Sequence, residues 1–163
     1  MYHTVTQQII ELLKSHNCPF ETFEHEEVTT SEEAARVRPG YTLSQGAKAI
    51  IVRVKKSESE KRFLMLVMPA NRRFDNDKVK RLFQVKDVRF ATGAEVSAIT
   101  DNVQIGGVPP FGNLFDLDII ADPTLFDNEK IVFNAGDRRF SVAMKSADYK
   151  LLAKPKIESI IQE

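Results

Sequence analysis

Hydrophobic positions at the start of the chain recur at helical spacing. Val5, Ile9, Leu12, Leu13 and His16 fall on one face, and Asn17-Cys18-Pro19 ends the run, which predicts a first helix. Phe20 to Glu24 predicts a strand. Thr30-Ser31-Glu32-Glu33 then reads as a capping box opening a short second helix that Arg38-Pro39-Gly40 stops. The pattern changes after Gly46. Ala49 to Val54 is a β-branched run, Lys56 to Lys61 is a polar hairpin loop, and Phe63 to Met68 returns as a second apolar strand closed by Pro69.

Farther along, Asp75 or Asn76 can cap a helix through Lys78, Val79, Leu82 and Phe83. Val88 to Phe90 predicts a brief strand, and Ala94 to Ile99 a small helix. Leu114 to Ile119 alternates apolar and polar positions, as a half-buried strand would. Ile131 to Asn134 and Arg139 to Met144 read as a strand pair joined across a turn at Gly136, and Ser146 caps a last helix turn. Helices and strands thus interleave with hairpins rather than strict βαβ units. The architecture expected is α+β, with a mixed, mostly antiparallel sheet flanked by helices. Nothing divides the 163 residues, so residues 1–163 are read as one domain.

Composition narrows the class. No apolar run nears the ~18 residues that span a bilayer, and the N-terminus lacks the pattern of a secretory signal. One cysteine excludes an internal disulfide framework, and three scattered histidines do not make a metal site, so neither metal nor cofactor is expected. These features fit the cytoplasm. Lys plus Arg and Asp plus Glu are both 23, but the charges are segregated: residues 1–40 carry −4, residues 41–99 carry +7 and residues 100–163 carry −3. The basic middle third includes Arg72, Arg73, Lys78, Lys80 and Arg81. It suits a phosphate backbone or, equally, a solvated face.

Three places could carry chemistry. Gly106-Gly107-Val108-Pro109-Pro110-Phe111-Gly112 has three glycines and two prolines in seven residues. Proline fixes φ and glycine lets backbone approach a ligand, so this is either a binding loop or a tight connection. Lys48 enters a strand behind Gly46-Ala47, where it could clamp an anion or simply be solvated. Asn134-Ala135-Gly136-Asp137-Arg138 lies where one strand gives way to the next. There Asp137 is either an acid–base group or a turn residue bonded to nearby backbone. Cys18 with His16 makes no convincing dyad. No nucleophile elbow, P-loop or dinucleotide fingerprint is present.

Taken in order, Thr30 to Ala35, Gly46-Ala47-Lys48, Gly106 to Gly112 and Asn134 to Arg138 resemble the YbaK family of prolyl-tRNA synthetase-associated editing domains. The resemblance runs from the first helix to about Tyr149. It implies a barrel-like mixed sheet flanked by helices, and hydrolysis of amino acids wrongly esterified to tRNA, here by a free-standing protein acting in trans. The partners implied are mischarged tRNA and an aminoacyl-tRNA synthetase, with no membrane, DNA or cofactor. Lys48 would orient the tRNA end, and the Gly106 and Gly107 amides would stabilise the ester oxygen. Val108, Pro109, Pro110, Phe111 and Gly136 would line the aminoacyl pocket, with Arg72, Arg73, Lys78, Lys80 and Arg81 on the acceptor stem.

A substrate hydroxyl would then help activate water, which accounts for the missing side-chain dyad. Two departures from the family pattern stand out. Ala49 follows the lysine where a hydroxyl residue is common, and Pro109 stands where many members have serine. A non-catalytic tRNA- or synthetase-binding module and a hydrolase of other small acyl esters are the competing readings.

Overall fold

The computed structural model describes residues 1–27 and 30–163. Its elements are α1 (Thr4–Ser15), β1 (Phe20–Glu24), α2 (Ser31–Arg36), β2 (Ala47–Ser57), β3 (Glu60–Pro69), α3 (Asn76–Phe83), β4 (Asp87–Phe90), α4 (Gly93–Thr100), β5 (Ile119–Ala121), β6 (Lys130–Asp137), β7 (Phe140–Lys145), α5 (Ser146–Ala153) and β8 (Lys156–Ile157). The strands form two open sheets, a three-stranded one ordered β1-β7-β6 and a five-stranded one ordered β4-β2-β3-β5-β8. All pairings are antiparallel except β3 with β5 and β5 with β8. The α+β expectation holds. Closure does not: the sheets meet only at a parallel bridge between Gly46 and Val132, so no barrel closes among the described residues.

Why β3 reads as an unbroken apolar run is clear from its setting. Leu64, Met65, Leu66, Val67 and Met68 are all completely buried, because the five-stranded sheet is covered on both faces. Ile51, Met65, Val67, Ile119 and Ala121 face a core shared with the three-stranded sheet, α1 and α5. Their neighbours Val52, Val54, Leu64, Leu66, Met68 and Ile120 face a second core with Val79 of α3 and the C-terminal Ile160 and Ile161. The two-residue periodicity of a strand divides one sequence run between two cores.

Helix ends follow their side chains. Thr30 Oγ accepts the Glu33 amide at 3.1 Å, and Asp75 Oδ1 accepts those of Asp77 and Lys78. At α4, Thr92 and Glu95 cap each other's amides, and Arg89 holds the Glu95 carboxyl down at about 2. Ser146 opens α5 but does not cap it; its hydroxyl donates to Asn128 O at 2.5 Å.

Two stretches depart from the sequence reading. Gly112–Phe115 forms a 3₁₀ turn followed by Asp116 at φ +55°, so only Ile119–Ala121 remains extended. The alternation there comes from one tight turn that points Leu117 inward, not from a strand. Gly136 is not the hairpin turn either. The chain reverses at Arg138-Arg139, while Ala135 and Gly136 form a bulge between the pairs Asn134–Ser141 and Asp137–Phe140. Gly136 has φ +94°, and a Cβ there would stand 2.5 Å from Val5 Cγ1 and 2.7 Å from Thr6 Oγ1. Its conformation and the close approach of α1 both require glycine. Gly136→Ala is therefore expected to cost about 2–5 kcal/mol. Thermal unfolding should report this as a Tm roughly 5–15 °C lower.

Candidate active site

Where the two sheets diverge beside the Gly46–Val132 bridge, a cleft of about 220 Å³ opens. One wall is Thr30, Ala34 and Arg38, four residues apart along and just beyond α2. Gly46 to Ile50 of the β2 entrance and Ala70 form the second, and Ile105, Gly106, Val108 and Asn134 the third. Backbone closeness shapes the β2 wall: a Cβ on Gly46 would lie 2.9 Å from that of Ala70. Alanines and glycines leave room for a ligand.

Lys48 is in this lining, half-buried, and its ammonium donates to the Arg72 carbonyl. Burial pulls its pKa below the ordinary lysine value. The nearby Arg73 charge pulls the same way, against an opposing pull from Glu32. The segment that meets Lys48 is itself anchored to the C-terminus: Arg72 donates to Gln162 O at 3.2 Å, and the Gln162 amide to Arg73 O at 2.8 Å.

The glycine–proline loop divides between cleft and core. Gly106 lines the cleft at φ +91°, third in a turn closed by the Gly107 amide donating to Gln104 O at 2.9 Å. That bond engages the Gly107 N–H, and the Gly136 amide donates to Gly107 O at 2.8 Å. Gly107 thus lies outside the cleft lining with its amide engaged. Val108 does line the cleft. Pro109, Pro110 and Phe111 turn inward: the Tyr149 hydroxyl donates to Pro110 O at 2.7 Å, and Phe111 is fully buried, edge-on to Tyr149. Phe111 fills the core and Gly136 packs on α1, both outside the cleft lining.

One cleft residue, Arg38, escaped the sequence reading. Arg38 is 6% exposed, and burial alone pulls its pKa down to about 10. Its Nε donates to Ser141 Oγ at 3.0 Å and its Nη2 to Asn134 Oδ1 at 2.9 Å. Asn134 in turn donates from Nδ2 to Gly106 O at 2.7 Å, joining Arg38 to the glycine loop. Only the Arg-Pro-Gly helix stop drew attention to position 38, because its partners lie about a hundred residues away in sequence. Asp137 pairs with Arg139 at 2.8 Å, which holds its carboxyl below the usual range and away from acid–base work.

Among the described residues the lining contains no carboxylate, imidazole or thiol. Among the described residues no three His, Cys, Asp or Glu side chains gather as a metal site, and no helix is long and apolar enough to cross a membrane. Of the basic residues expected on RNA, Lys78 donates to Ile161 O at 2.8 Å and Arg72 to Gln162 O, so both anchor the C-terminal segment. Arg73, Lys80 and Arg81 have no side-chain hydrogen bond or ion pair among the described residues. What remains is a small cleft with two cations, the Thr30 hydroxyl, one amide side chain and a glycine backbone edge. Such a lining can bind and polarise an oxygen-rich ester while water attacks it.

Comparison with known proteins gives the class. The model of the aminoacyl-tRNA editing domain matches residues 25–152, and the chain belongs to that family. Among curated proteins, the multifunctional Ser/Thr-tRNA deacylase ProXp-y of Escherichia coli (strain K12) is 33% identical over 152 residues, 93% of this chain and 89% of that one. Among solved structures, a candidate trans-editing enzyme for prolyl tRNA synthetase superposes with a TM-score of 0.80 at 21% identity, covering all of both chains. A hypothetical protein superposes with a TM-score of 0.81 at 20% identity over 95% of this chain and 99% of that one. At those identities the two structures speak for the fold alone.

The electrostatics of Lys48 can be tested directly. Titration of its ammonium, followed by NMR at Cε, should give a pKa below the ordinary lysine value. Arg73→Gln should raise it by removing a like charge, and Glu32→Gln should lower it further.

Proposed function

We propose that residues 1–163 act as one editing domain, an aminoacyl-tRNA deacylase working in trans in the cytoplasm. It is a hydrolase that cleaves the ester between a small, wrongly attached amino acid and the tRNA 3′ end. Family membership supports the activity. The observation that carries the chemistry is the cleft lining itself, with Lys48 and Arg38 as cations, Gly106 as a backbone edge, and no carboxylate, imidazole or thiol among the described lining residues. Such a site suits attack by water, with positioning and charge stabilisation supplied by the lining.

Editing answers a limit of synthetase pockets, which separate similar small side chains by only about 1–3 kcal/mol per methylene. The E. coli relative is named for Ser/Thr-tRNA, so seryl- and threonyl-tRNA head the substrates proposed here. The small side chains of Ala34, Ala47, Ala49 and Ala70 suit an acyl group of that size. Lys48 would hold the tRNA end near its terminal phosphate, with Arg73, Lys80 and Arg81 on the acceptor stem. A synthetase supplying the mischarged tRNA is the further partner.

The test is amino-acid release from a panel of seryl-, threonyl-, alanyl- and cysteinyl-tRNA, with wild type beside Lys48→Ala. Cleavage of at least one species, falling 10-fold or more in Lys48→Ala, is expected. Binding without cleavage of any species would favour the non-catalytic module instead.

Salt provides a second check. If the three unpartnered cations each meet a phosphate, log Kd for tRNA should rise with log salt at a slope of roughly 2–3. The triple variant Arg73→Gln, Lys80→Gln, Arg81→Gln should flatten that slope. An unchanged slope would remove these residues from the RNA surface.

A further inference from the structure

Arg38 poses a problem that its neighbours do not solve. A buried arginine is ordinarily paired with an acid, because an isolated charge is costly to remove from water. This one is 6% exposed, yet both its hydrogen-bond partners, Ser141 and Asn134, are neutral, and no carboxylate pairs with it among the described residues. Nη1 has no protein acceptor among those residues. It lies 3.6 Å from the point where a Gly46 Cβ would stand, and both Gly46 and Arg38 line the cleft. A free donor of a buried cation therefore faces the space a ligand would fill.

The guanidinium is also held in place. Ser141 Oγ, which receives Nε–H, is itself met at 2.8 Å by His25 Nε2. His25 Nδ1 lies 2.8 Å from Glu26 O, and since a carbonyl only accepts, that nitrogen carries a hydrogen and donates. Asn134 receives Nη2–H while donating to Gly106 O. Two of the five donor hydrogens are thus fixed by strands β6 and β7, which orients the planar fork and leaves the Nη1 side unengaged.

We infer that Arg38 is a catalytic residue whose Nη1 donates to the carbonyl oxygen of the bound ester and stabilises the negative charge that grows there. The inference rests on the deacylase reading. An esterified amino acid offers a cation, its α-ammonium, which must turn away from Arg38, and a carbonyl oxygen, which a guanidinium attracts. The Gly107 amide is engaged within its turn, which removes one of the two backbone donors expected for that oxygen and leaves a place for a side-chain donor of the lining.

In the step itself, water oxygen bonds to the carbonyl carbon and the C=O π pair moves onto the oxygen held by Nη1. When the C=O re-forms, the bond from carbon to ribose oxygen breaks, and one proton originating from the water ends on that ribose oxygen. The products are the free amino acid and tRNA with its hydroxyl restored. A charge-assisted bond strengthens as the oxygen becomes anionic, so it lowers the barrier rather than merely tightening substrate binding.

The experiment is single-turnover and steady-state deacylation by wild type, Arg38→Lys, Arg38→Ala and Ser141→Ala, with folding of each checked by circular dichroism. On the tRNA species wild type cleaves best, Arg38→Ala should lose about 10²- to 10³-fold in kcat with KM nearly unchanged. Added guanidinium ion should restore part of that rate, while added ammonium should not. If Arg38 variants fail to fold, Ser141→Ala decides: with the guanidinium kept but loosened, kcat should fall several-fold at constant KM. An unchanged kcat in the folded variants would overturn the inference. So would a loss confined to KM, which would make Arg38 a phosphate or ribose ligand, or a loss confined to hydroxyl-bearing amino acids. Failure of wild type to cleave any mischarged tRNA would instead bring down the deacylase reading beneath it.

Discussion

Burial of β3 on both faces is the constraint from which the site follows. Five consecutive residues, Leu64 to Met68, have no solvent exposure, so β3 must be flanked by strands and covered above and below. Truncating one such leucine typically costs about 2–5 kcal/mol, a large share of a domain's net stability of about 5–15 kcal/mol. β2 is locked to β3 along its whole length, with Ala47 opposite Pro69 and Lys48 opposite Met68. The last pairs of that ladder leave Lys48 beside the turn after Pro69, where its ammonium reaches Arg72 O. A rigid strand end, not a mobile loop, thus sets the position of one cation.

The second sheet supplies the other half. A bulge in β6 lets Gly136 donate to Gly107 O while Asn134, two residues earlier, donates to Gly106 O. One short segment therefore holds the glycine loop from beneath and reaches Arg38 from the side. Thr6 of α1 donates to Ala135 O at 2.5 Å, which fixes the bulge from its far side. The Pro-Pro-Phe portion serves that same end by running into the core, where Phe111 packs with Phe133 and Tyr149. Of the three loop glycines Gly106 lines the cleft, while the prolines turn into the core.

Much of this was legible in sequence, and the boundary has physical reasons. The α1 periodicity, the Thr30 cap, the apolar β2 and β3 runs and the α3 helix rest on local patterns that tertiary structure reinforces. Features that depend on contacts remote in sequence were hidden. The alternation at Leu114 to Ile119 could not reveal that Asp116 would adopt a left-handed conformation. Gly136 looks like a turn glycine until α1 is seen packed against it. Lys48, Gly106 and Val108 reach one cleft. Phe111, by contrast, has the composition of a binding residue and the environment of a core one. Charge segregation overstated the basic surface, because Arg53, Arg62 and Arg89 pair with Asp87, Asp118 and Glu95, and Lys78 is drawn to the C-terminus.

The absence of a carboxylate, imidazole or thiol from the described lining bears on how such a site achieves selectivity. A serine or cysteine nucleophile would attack any ester that entered, and its base would need a partner of its own. On the proposed reading, the cleft would lower the barrier only for a substrate that brings its carbonyl within reach of a donor and leaves room for water. Lys48 at the strand entrance and Arg38 at the inner wall are held by different sheets, the first through β2 and the second through Asn134 of β6 and Ser141 of β7. An acyl group too large for the alanine-lined space would be held away from Arg38 even while its tRNA end remained on Lys48. Size discrimination would then act on the rate of the chemical step, where a displacement of about 1 Å can cost about 10²-fold, rather than on binding, where it would gain far less.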